Sequence, residues 1–392
     1  MGNAGNAFDL VVVGLGAMGA AALYHARRQG LRVLGIDRHR PPHELGSTHA
    51  ETRITRLAVG EGAPYLPFVR RSHELWRDLE ARSGEQLLHQ SGGLIVTGPG
   101  SRPGARWADF TSATARIARE AGIGFDLLDA STATARYPAI VGLDRHQVGF
   151  EPTGGIVMAE RALSVQLTLA EADGAIVHTD ETVDDVVPGG DHVDVVTDRD
   201  SYRSHHVVLS TGPWVRELAD PSDGALTSVT RQVVYWFEVD DPDAFTIERF
   251  PFVMWIGASD AEYLGVFPIP PGGTSALKVL GEQFESTTDP ETVDRTVSPS
   301  EIDAFYEHCV EPRIAGVNRR CVRATVCLYT NTPDDHFLID SDPRSDHITV
   351  MSPCSGHGFK HSAALGEAVA ERVATGTSTL DLDPFRRRRF AV

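Results

Sequence analysis

A glycine motif close to the first residue constrains the fold of this chain more than any other feature. The apolar run Phe8–Val13 leads into G-x-G-x-x-G at residues 14–19, and the helix formers Ala20–Gln29 follow. A second apolar run, Leu31–Ile36, ends at Asp37, 18 residues after the last motif glycine. A strand, a glycine turn, a helix and a second strand within about 30 residues form the smallest βαβ unit. The chain is therefore predicted to start with one unit of a parallel sheet.

In this context the motif predicts a dinucleotide site at Gly14, Gly16 and Gly19. The first two glycines allow a tight turn and let a pyrophosphate approach bare N–H groups at the start of the helix. Asp37 would accept hydrogen bonds from ribose hydroxyls. A merely structural turn is the alternative. The motif does not separate FAD from NAD, but its place at the N-terminus and the later strand with a glycine turn, Val207–Gly212, favour FAD.

The bulk composition argues against several classes of protein. A chain of 392 residues with 41% hydrophobic residues buries a core too large for one small domain, so two lobes are expected. The 54 acidic and 36 basic residues give a net charge of −18, which disfavours nucleic acid and an anionic membrane surface as partners. No apolar window reaches the roughly 18 to 20 residues of a membrane span and no leader pattern opens the chain, so a cytoplasmic location is expected.

The cysteines give no sign of a metal site or a disulfide framework. Cys309, Cys321, Cys327 and Cys354 all lie in the last third of the chain and lack C-x-x-C spacing. No metal site is predicted, and a cysteine with a special role must act alone.

Dinucleotide-type patterns recur at residues 175–177 and 207–212, so one domain is predicted to be assembled from separated segments. Leu226–Val239 and Tyr263–Leu280 are typical of strands in a second lobe. The predicted fold class is α/β, with an FAD-binding, Rossmann-like lobe from residues 1–86, 150–215 and 320–392 and a substrate lobe of mixed, largely antiparallel sheet from residues 87–149 and 216–319. Ligands are expected at the carboxyl ends of the parallel strands.

Longer motifs connect the chain with a known family. They are Pro41-Pro42-His43 with Gly46–Arg56, Phe150-Glu151-Pro152, Arg231–Val234, Val326–Thr330 and Ser355–Lys360. Together with the N-terminal motif they are spread over nearly the whole chain. On these motifs the chain resembles the monomeric sarcosine oxidase and N-methyltryptophan oxidase group of flavin amine oxidases, related to glycine oxidase. The resemblance implies an FAD-dependent oxidase that attacks a C–N bond of a small amino acid with a secondary amine. The imine would be hydrolysed, and dioxygen would be reduced to hydrogen peroxide.

The resemblance also implies a covalent flavin. Cys327, whose neighbours match on both sides, would hold the flavin through a thioether to its 8α carbon. The other three cysteines are expected to be small buried hydrophobic residues. Ser47, Thr52, Val183 and Gly212 are expected to complete the cofactor site.

The Ser355–Lys360 motif opens the final predicted helix. Gly356 and Gly358 expose N–H groups at the positive end of the helix dipole, which suits the negative charge around N1 and the C2 carbonyl of a reduced flavin. An ordinary glycine-rich loop is the alternative. His357, between the two glycines, is a candidate catalytic residue.

The resemblance assigns two cations to the substrate and one to oxygen. Arg56 and Lys360 would bind the substrate carboxylate, because an Arg fork with a Lys point charge fixes an anion while the adjacent amine stays free. Arg53 would lie beside the flavin ring. Lys278 would stabilise superoxide as it develops from dioxygen; a lysine that reaches solvent from a strand edge is the alternative.

Three departures from the family pattern concern the substrate. Leu280-Gly281-Glu282 is found where sarcosine-type members have a pocket histidine, Pro353-Cys354 replaces a bulkier apolar pair, and Trp255 follows Met254 where smaller residues are usual. They allow a larger or differently charged N-substituent than that of sarcosine. Cleavage of an N-carboxymethyl amine to glyoxylate and oxidation of a cyclic imino acid therefore stay open.

Two other classes of protein also stay open. A nicotinamide-dependent dehydrogenase would share the N-terminal motif but leaves the cluster at residues 320–360 unexplained. A binding protein without activity could share the fold. The expected partners are dioxygen and a small amino acid with a free carboxylate, bound by a monomer.

Overall fold

The computed structural model describes residues 7–99, 109–259 and 262–390. The outer limits of the predicted lobes, residues 1 and 392, and the opening of the chain that we searched for a leader lie outside these ranges. Within them, no helix has the length and apolar character needed to cross a membrane.

Helices and runs of strands follow one another along the described part of the chain. The helices are α1 (Ala17–Arg28), α2 (Leu66–Ser83), α3 (Phe110–Glu120), α4 (Ala130–Arg136), α5 (Ala159–Ala172), α6 (Val215–Leu218), α7 (Pro221–Ala225), α8 (Pro299–Phe305) and α9 (Ser362–Thr375). The strands are β1 (Ala7–Val13), β2 (Val33–Asp37), β3 (Thr52–Thr55), β4 (Leu88–Gln90), β5 (Gly93–Thr97), β6 (Asp126–Leu128), β7 (Gln147–Glu151), β8 (Gly155–Met158), β9 (Ile176–Thr179), β10 (Val183–Pro188), β11 (Val193–Thr197), β12 (Ser201–Leu209), β13 (Ser228–Val239), β14 (Phe252–Ile256), β15 (Leu264–Phe267), β16 (Leu277–Leu280), β17 (Val317–Asn331), β18 (Leu338–Asp342) and β19 (Ser345–Ser352).

The first sheet is built around parallel strands. β12, β1, β2 and β9 are neighbours in this order and run parallel, and β19 joins β12 in parallel on its other side. The hairpin β10–β11 and the strand β18 extend this sheet by antiparallel pairing. The predicted βαβ unit is confirmed, although α1 begins at Ala17, three residues earlier than expected. Helix α9 packs closely on α1, since a Cβ on Gly366 would lie 2.4 Å from the Cβ of Ala21.

The second sheet is largely antiparallel, as predicted. Its order is β17-β13-β16-β15-β14-β5-β7-β6, and β14–β5 is its parallel pair. The segment Tyr263–Leu280, predicted to have strand structure, forms β15 and β16, which are separated because residues 270–273 are Pro-Pro-Gly-Gly and Gly272 has a φ of +71°. The limits of the two lobes stay a prediction; among them, the limit at residue 320 lies inside β17, which pairs with β13.

The two faces of the second sheet differ in character because side chains alternate along a strand. Val233 and Tyr235 of β13, Val279 of β16 and Val326 of β17 belong to a hydrophobic core on one face. The opposite face carries the residues between them in the paired register: Gln232, Val234, Lys278, Leu280, Cys327 and Tyr329. A third sheet, β3-β8-β4, lies alongside and carries Arg53. Polar and reactive side chains are therefore gathered on the face that remains outside the core.

Candidate active site

A continuous cleft lies between the first sheet and the polar face of the second sheet. Four parallel strands of the first sheet reach it with their carboxyl ends, at Val13, Asp37, Ser210 and Ser352. The opposite wall includes Cys327 of β17. The cleft therefore lies where ligands bind in open parallel sheets, as expected.

The glycine turn is shaped for close approach of a ligand. Gly14 has a φ of +87°, and a Cβ on Gly19 would lie 1.8 Å from the carbonyl oxygen of Gly14, so both positions require glycine. Gly16 precedes α1 and provides no capping side chain, and the Ala17 N–H donates to the Thr48 hydroxyl at 3.2 Å. The first turn of α1 thus faces the cleft beside a bare glycine N-cap, with the Thr48 hydroxyl on the Ala17 N–H, which suits an anionic pyrophosphate.

Asp37 connects the end of β2 with this turn. Its Oδ2 accepts from the Leu15 N–H at 2.7 Å and its Oδ1 from the His39 N–H at 2.8 Å. The carboxylate also lines the cleft. The start of α1, the bare glycine turn and this acid fit the diphosphate and ribose of a dinucleotide such as FAD.

Most of the residues selected from the sequence meet in this cleft. Its lining includes Gly14, Gly16, Asp37, Ser47, Arg53, Arg56, Val183, Gly212, Cys327, Gly356, His357, Gly358 and Lys360. Three selected residues do not line it. Gly19 lies beneath the glycine turn, and Thr52 and Lys278 lie together behind the wall. None of the described residues forms a group of three or more His, Cys, Asp or Glu that could hold a metal.

Cys327 is buried beside the loop that follows β2. Its Sγ lies 3.6 Å from the carbonyl oxygen of Ser47 and 3.8 Å from Arg53 Nη2. The Ser47 hydroxyl donates to the carbonyl oxygen of Leu328 at 2.7 Å, which holds this loop against β17. The Arg53 guanidinium donates to the carbonyl oxygens of Ser47, His49 and Thr52 at 2.6 to 2.9 Å. The thiol is therefore held next to a permanent positive charge.

Burial raises the pKa values of Cys309, Cys321 and Cys354, so these thiols stay protonated. Cys354 also lines the cleft and therefore offers a matched comparison with Cys327.

Arg56 and Lys360 share a buried carboxylate that the sequence analysis missed. Glu61 Oε1 lies 2.7 Å from Arg56 Nη2 and 2.8 Å from Lys360 Nζ, and all three side chains are at most 4% exposed. Two cations and one carboxylate leave a net charge of +1 in this cluster, which we call the Arg56–Glu61–Lys360 cluster. Glu61 follows Arg56 by five residues. Its closeness in sequence to a predicted anion site was the signal that could have identified it.

Burial and charge act in opposite directions in the Arg56–Glu61–Lys360 cluster. Burial by itself would raise the pKa of Glu61, but Arg56 and Lys360 together hold that pKa well below its usual value. Burial lowers the pKa of Lys360 to about 8, although Glu61 opposes the shift. Lys360 Nζ also donates to the carbonyl oxygen of His357 at 2.8 Å. The cluster is therefore tied to the loop that contains Gly356 and Gly358.

Lys278 is buried on the interior strand β16, so it is not a lysine that reaches solvent from a strand edge. Its Nζ donates to the carbonyl oxygens of Ala50 and Thr52 at 2.6 and 2.7 Å and to the Thr52 hydroxyl at 3.2 Å. Ala50 and Glu51 have φ values of 70° and 64°, and the lysine bridges this turn. Burial, with a smaller effect from Arg53, lowers the pKa of Lys278 well below its usual value.

One of the three departures from the family pattern does not line the cleft. Trp255 packs in the core on the other face of the second sheet, while Met254 lines the cleft. The reason is the alternation of side chains along β14. The residues of the other two departures do line the cleft: Leu280, Glu282, Pro353 and Cys354.

The comparisons with known proteins agree with this geometry. Residues 9–372 match the model of the FAD dependent oxidoreductase family, DAO. The chain belongs to this FAD-dependent family.

Its relatives narrow the class to flavin enzymes that oxidise amines. The chain is 34% identical over 387 residues to monomeric sarcosine oxidase of Bacillus sp. strain NS-129, covering 98% of this chain and 97% of that protein. It is 32% identical over 385 residues to N-methyl-L-tryptophan oxidase of Salmonella dublin, covering 98% and 99%. NikD, an unusual amino acid oxidase essential for nikkomycin biosynthesis, superposes with a TM-score of 0.84 at 25% identity over 97% of each chain. The predicted family and fold class are confirmed.

Proposed function

We propose that this protein is an FAD-dependent oxidase of a small amino acid with a secondary amine. The observation that carries the proposal is the net positive charge of the Arg56–Glu61–Lys360 cluster, buried beside a cleft that fits FAD. Bound FAD would supply the redox chemistry: it accepts a hydride equivalent from a carbon next to nitrogen and passes the electrons to dioxygen, which leaves as hydrogen peroxide.

The protein contributes orientation and charge. Arg56 and Lys360 would bind the substrate carboxylate, and together with Glu61 they would form a neutral group once that anion is bound. Gly356 and Gly358 would present N–H groups to negative charge on the flavin. Arg53 would lie beside the flavin ring, and Lys278 would act on dioxygen. A cytoplasmic monomer remains part of the proposal.

An oxygen-consumption screen with identification of the carbonyl product tests the reaction. N-methyl amino acids are expected to be oxidised with release of formaldehyde, since two relatives are named as oxidases of such compounds. Release of glyoxylate from N-carboxymethyl amines, or turnover of cyclic imino acids, would identify the alternative substrates. A purified yellow protein that consumes no oxygen with any of the three sets would contradict the proposed activity.

The flavin is expected to stay attached to the polypeptide after acid precipitation, because Cys327 would hold it covalently. Cys327→Ser should release the flavin into the supernatant, measured by absorbance. Cys354→Ser is the matched control, since this thiol lines the same cleft, and it should retain the flavin in the pellet. Free extraction of flavin from the wild type would contradict the covalent link but not the oxidase activity.

Carboxylate binding is expected to weaken as the pH rises above about 8. The protonated form of Lys360 attracts the anion, and its pKa is lowered to about 8. Loss of that proton leaves Arg56 and Glu61 with no net charge, whereas below this pH the cluster keeps its positive charge. Calorimetric titration with pivalate across this range measures the change. Lys360→Met should bind pivalate weakly and without this pH dependence; a constant wild-type affinity would contradict the role of Lys360.

A further inference from the structure

Glu282 is an acidic residue in the wall of the cleft to which the proposed reaction gives no role. It follows β16 by two residues and lines the cleft with Leu280. Its Oε1 accepts a hydrogen bond from the Tyr329 hydroxyl at 3.2 Å and lies 3.6 Å from the position that a Cβ on Gly356 would occupy. Tyr329 and the Gly356 loop therefore hold this carboxylate in the wall.

Glu282 and Lys360 both approach the same short loop, Glu282 at Gly356 and Lys360 at His357. Lys360 Nζ donates to the carbonyl oxygen of His357, the residue after Gly356. Burial lowers the pKa of Lys360 and raises that of Tyr329. The negative charge of Glu282 raises the pKa of both groups. The cleft thus presents a positive cluster and a negative group next to the same loop.

Large hydrophobic side chains line the same cleft as Glu282. They include Met254, Tyr263, Phe267 and Leu280, and the first three are at most 6% exposed. Charge-assisted hydrogen bonds are stronger in such surroundings than in water, because water competes less. A ligand that matches both charges would therefore bind better than one that matches only the positive cluster.

We propose that Glu282 binds the protonated amine of the substrate while Arg56 and Lys360 bind its carboxylate. This inference rests on the proposed function and specifies it: the enzyme selects an amino acid in its zwitterionic form over a carboxylic acid of the same shape. An ammonium group donates charge-assisted hydrogen bonds to a carboxylate, and the Tyr329 hydroxyl steadies Glu282 for this contact. The recognition precedes the loss of the amine proton.

Two probes of equal shape separate the two charges. In 2-aminoisobutyrate an ammonium group replaces one methyl group of pivalate, and neither compound has a hydrogen on a carbon next to nitrogen, so neither can be oxidised there. Calorimetry on the flavin-containing enzyme near neutral pH should show at least about tenfold tighter binding of 2-aminoisobutyrate, the scale of one charge-assisted hydrogen bond. Equal affinity of the wild type for both probes would overturn the inference without any variant.

Glu282→Gln should abolish this preference by weakening the binding of 2-aminoisobutyrate while pivalate binds equally well or better. The matched control is Glu285→Gln, which removes the same charge at an exposed site nearby and should retain the wild-type ratio of affinities. If Glu282 serves only as a counter-charge to Lys360, Glu282→Gln would change both affinities alike and keep the ratio of the two affinities. That result would overturn this inference and leave the proposed function standing. If the wild type binds neither probe, both the inference and the carboxylate anchor of the proposed function are overturned.

Discussion

Arg56→Met is expected to lower kcat/KM by about 100-fold or more, which corresponds to about 2.7 kcal/mol of lost transition-state stabilisation. Arg56 provides half of the positive charge in the Arg56–Glu61–Lys360 cluster. Without it, Glu61 and Lys360 neutralise each other and nothing in the cluster attracts the substrate carboxylate. The apparent KM should rise, and inhibition by simple carboxylates should disappear.

The buried acid permits a sharper test of this charge balance. Adding Glu61→Gln to Arg56→Met restores a net charge of +1 and should recover part of the lost kcat/KM. The recovery is partial because the hydrogen bonds from the Arg56 guanidinium are still missing. Such coupling is expected for residues in one ion-pair network. The matched control Arg320→Met removes a positive charge from a side chain that is 72% exposed and should leave the kinetics unchanged. Unchanged kinetics in Arg56→Met would remove this anchor from the proposed function.

Lys278→Met is expected to slow the oxidative half-reaction by about 100-fold or more, the scale for losing one preorganised charge. Dioxygen is neutral and becomes an anion when it takes the first electron, so a nearby cation favours that step. Substrate oxidation should change little, because the amine and carboxylate would be bound in the cleft, whereas Lys278 lies behind its wall. Stopped-flow measurement of the two half-reactions provides the comparison.

The contacts of Lys278 add a structural cost that the same experiment must separate. The substitution removes one donor from each of the carbonyl oxygens of Ala50 and Thr52, which still accept from the Thr52 N–H and from Arg53 Nη1, so each lost hydrogen bond costs about 1 kcal/mol. The melting temperature should therefore fall as well. Thr52→Val, which removes the hydroxyl contact but keeps the charge, is the control and should retain fast oxidation by dioxygen. Equal slowing of both half-reactions in Lys278→Met, or slowing of reduction alone, would contradict the role in oxygen chemistry.

The N-terminal unit shows how far local sequence predicts the fold. Gly14, Gly19 and Asp37 act on neighbours within one βαβ unit, so the turn and its acid could be inferred from spacing alone. The Tyr263–Leu280 segment shows the limit, because its apolar residues predict strand structure without fixing where each strand ends. The break between β15 and β16 follows from the N–H groups that the two prolines lack and from the positive φ of Gly272.

The sequence by itself determined the α/β class and the dinucleotide turn, and through the family resemblance it indicated most of the candidate residues that line the cleft, although not Glu61. It did not determine how their charges combine. Glu61 and Lys360 are 299 residues apart, and no local pattern pairs them; the packing of the loop before α2 against the start of α9 does. In the same way, alternation placed Met254 and Trp255 on opposite faces of β14, but only the packing of the two sheets decided which face meets the cleft. Local propensity acts over a few residues, whereas charge compensation and the choice of face depend on which surfaces the folded chain buries against each other.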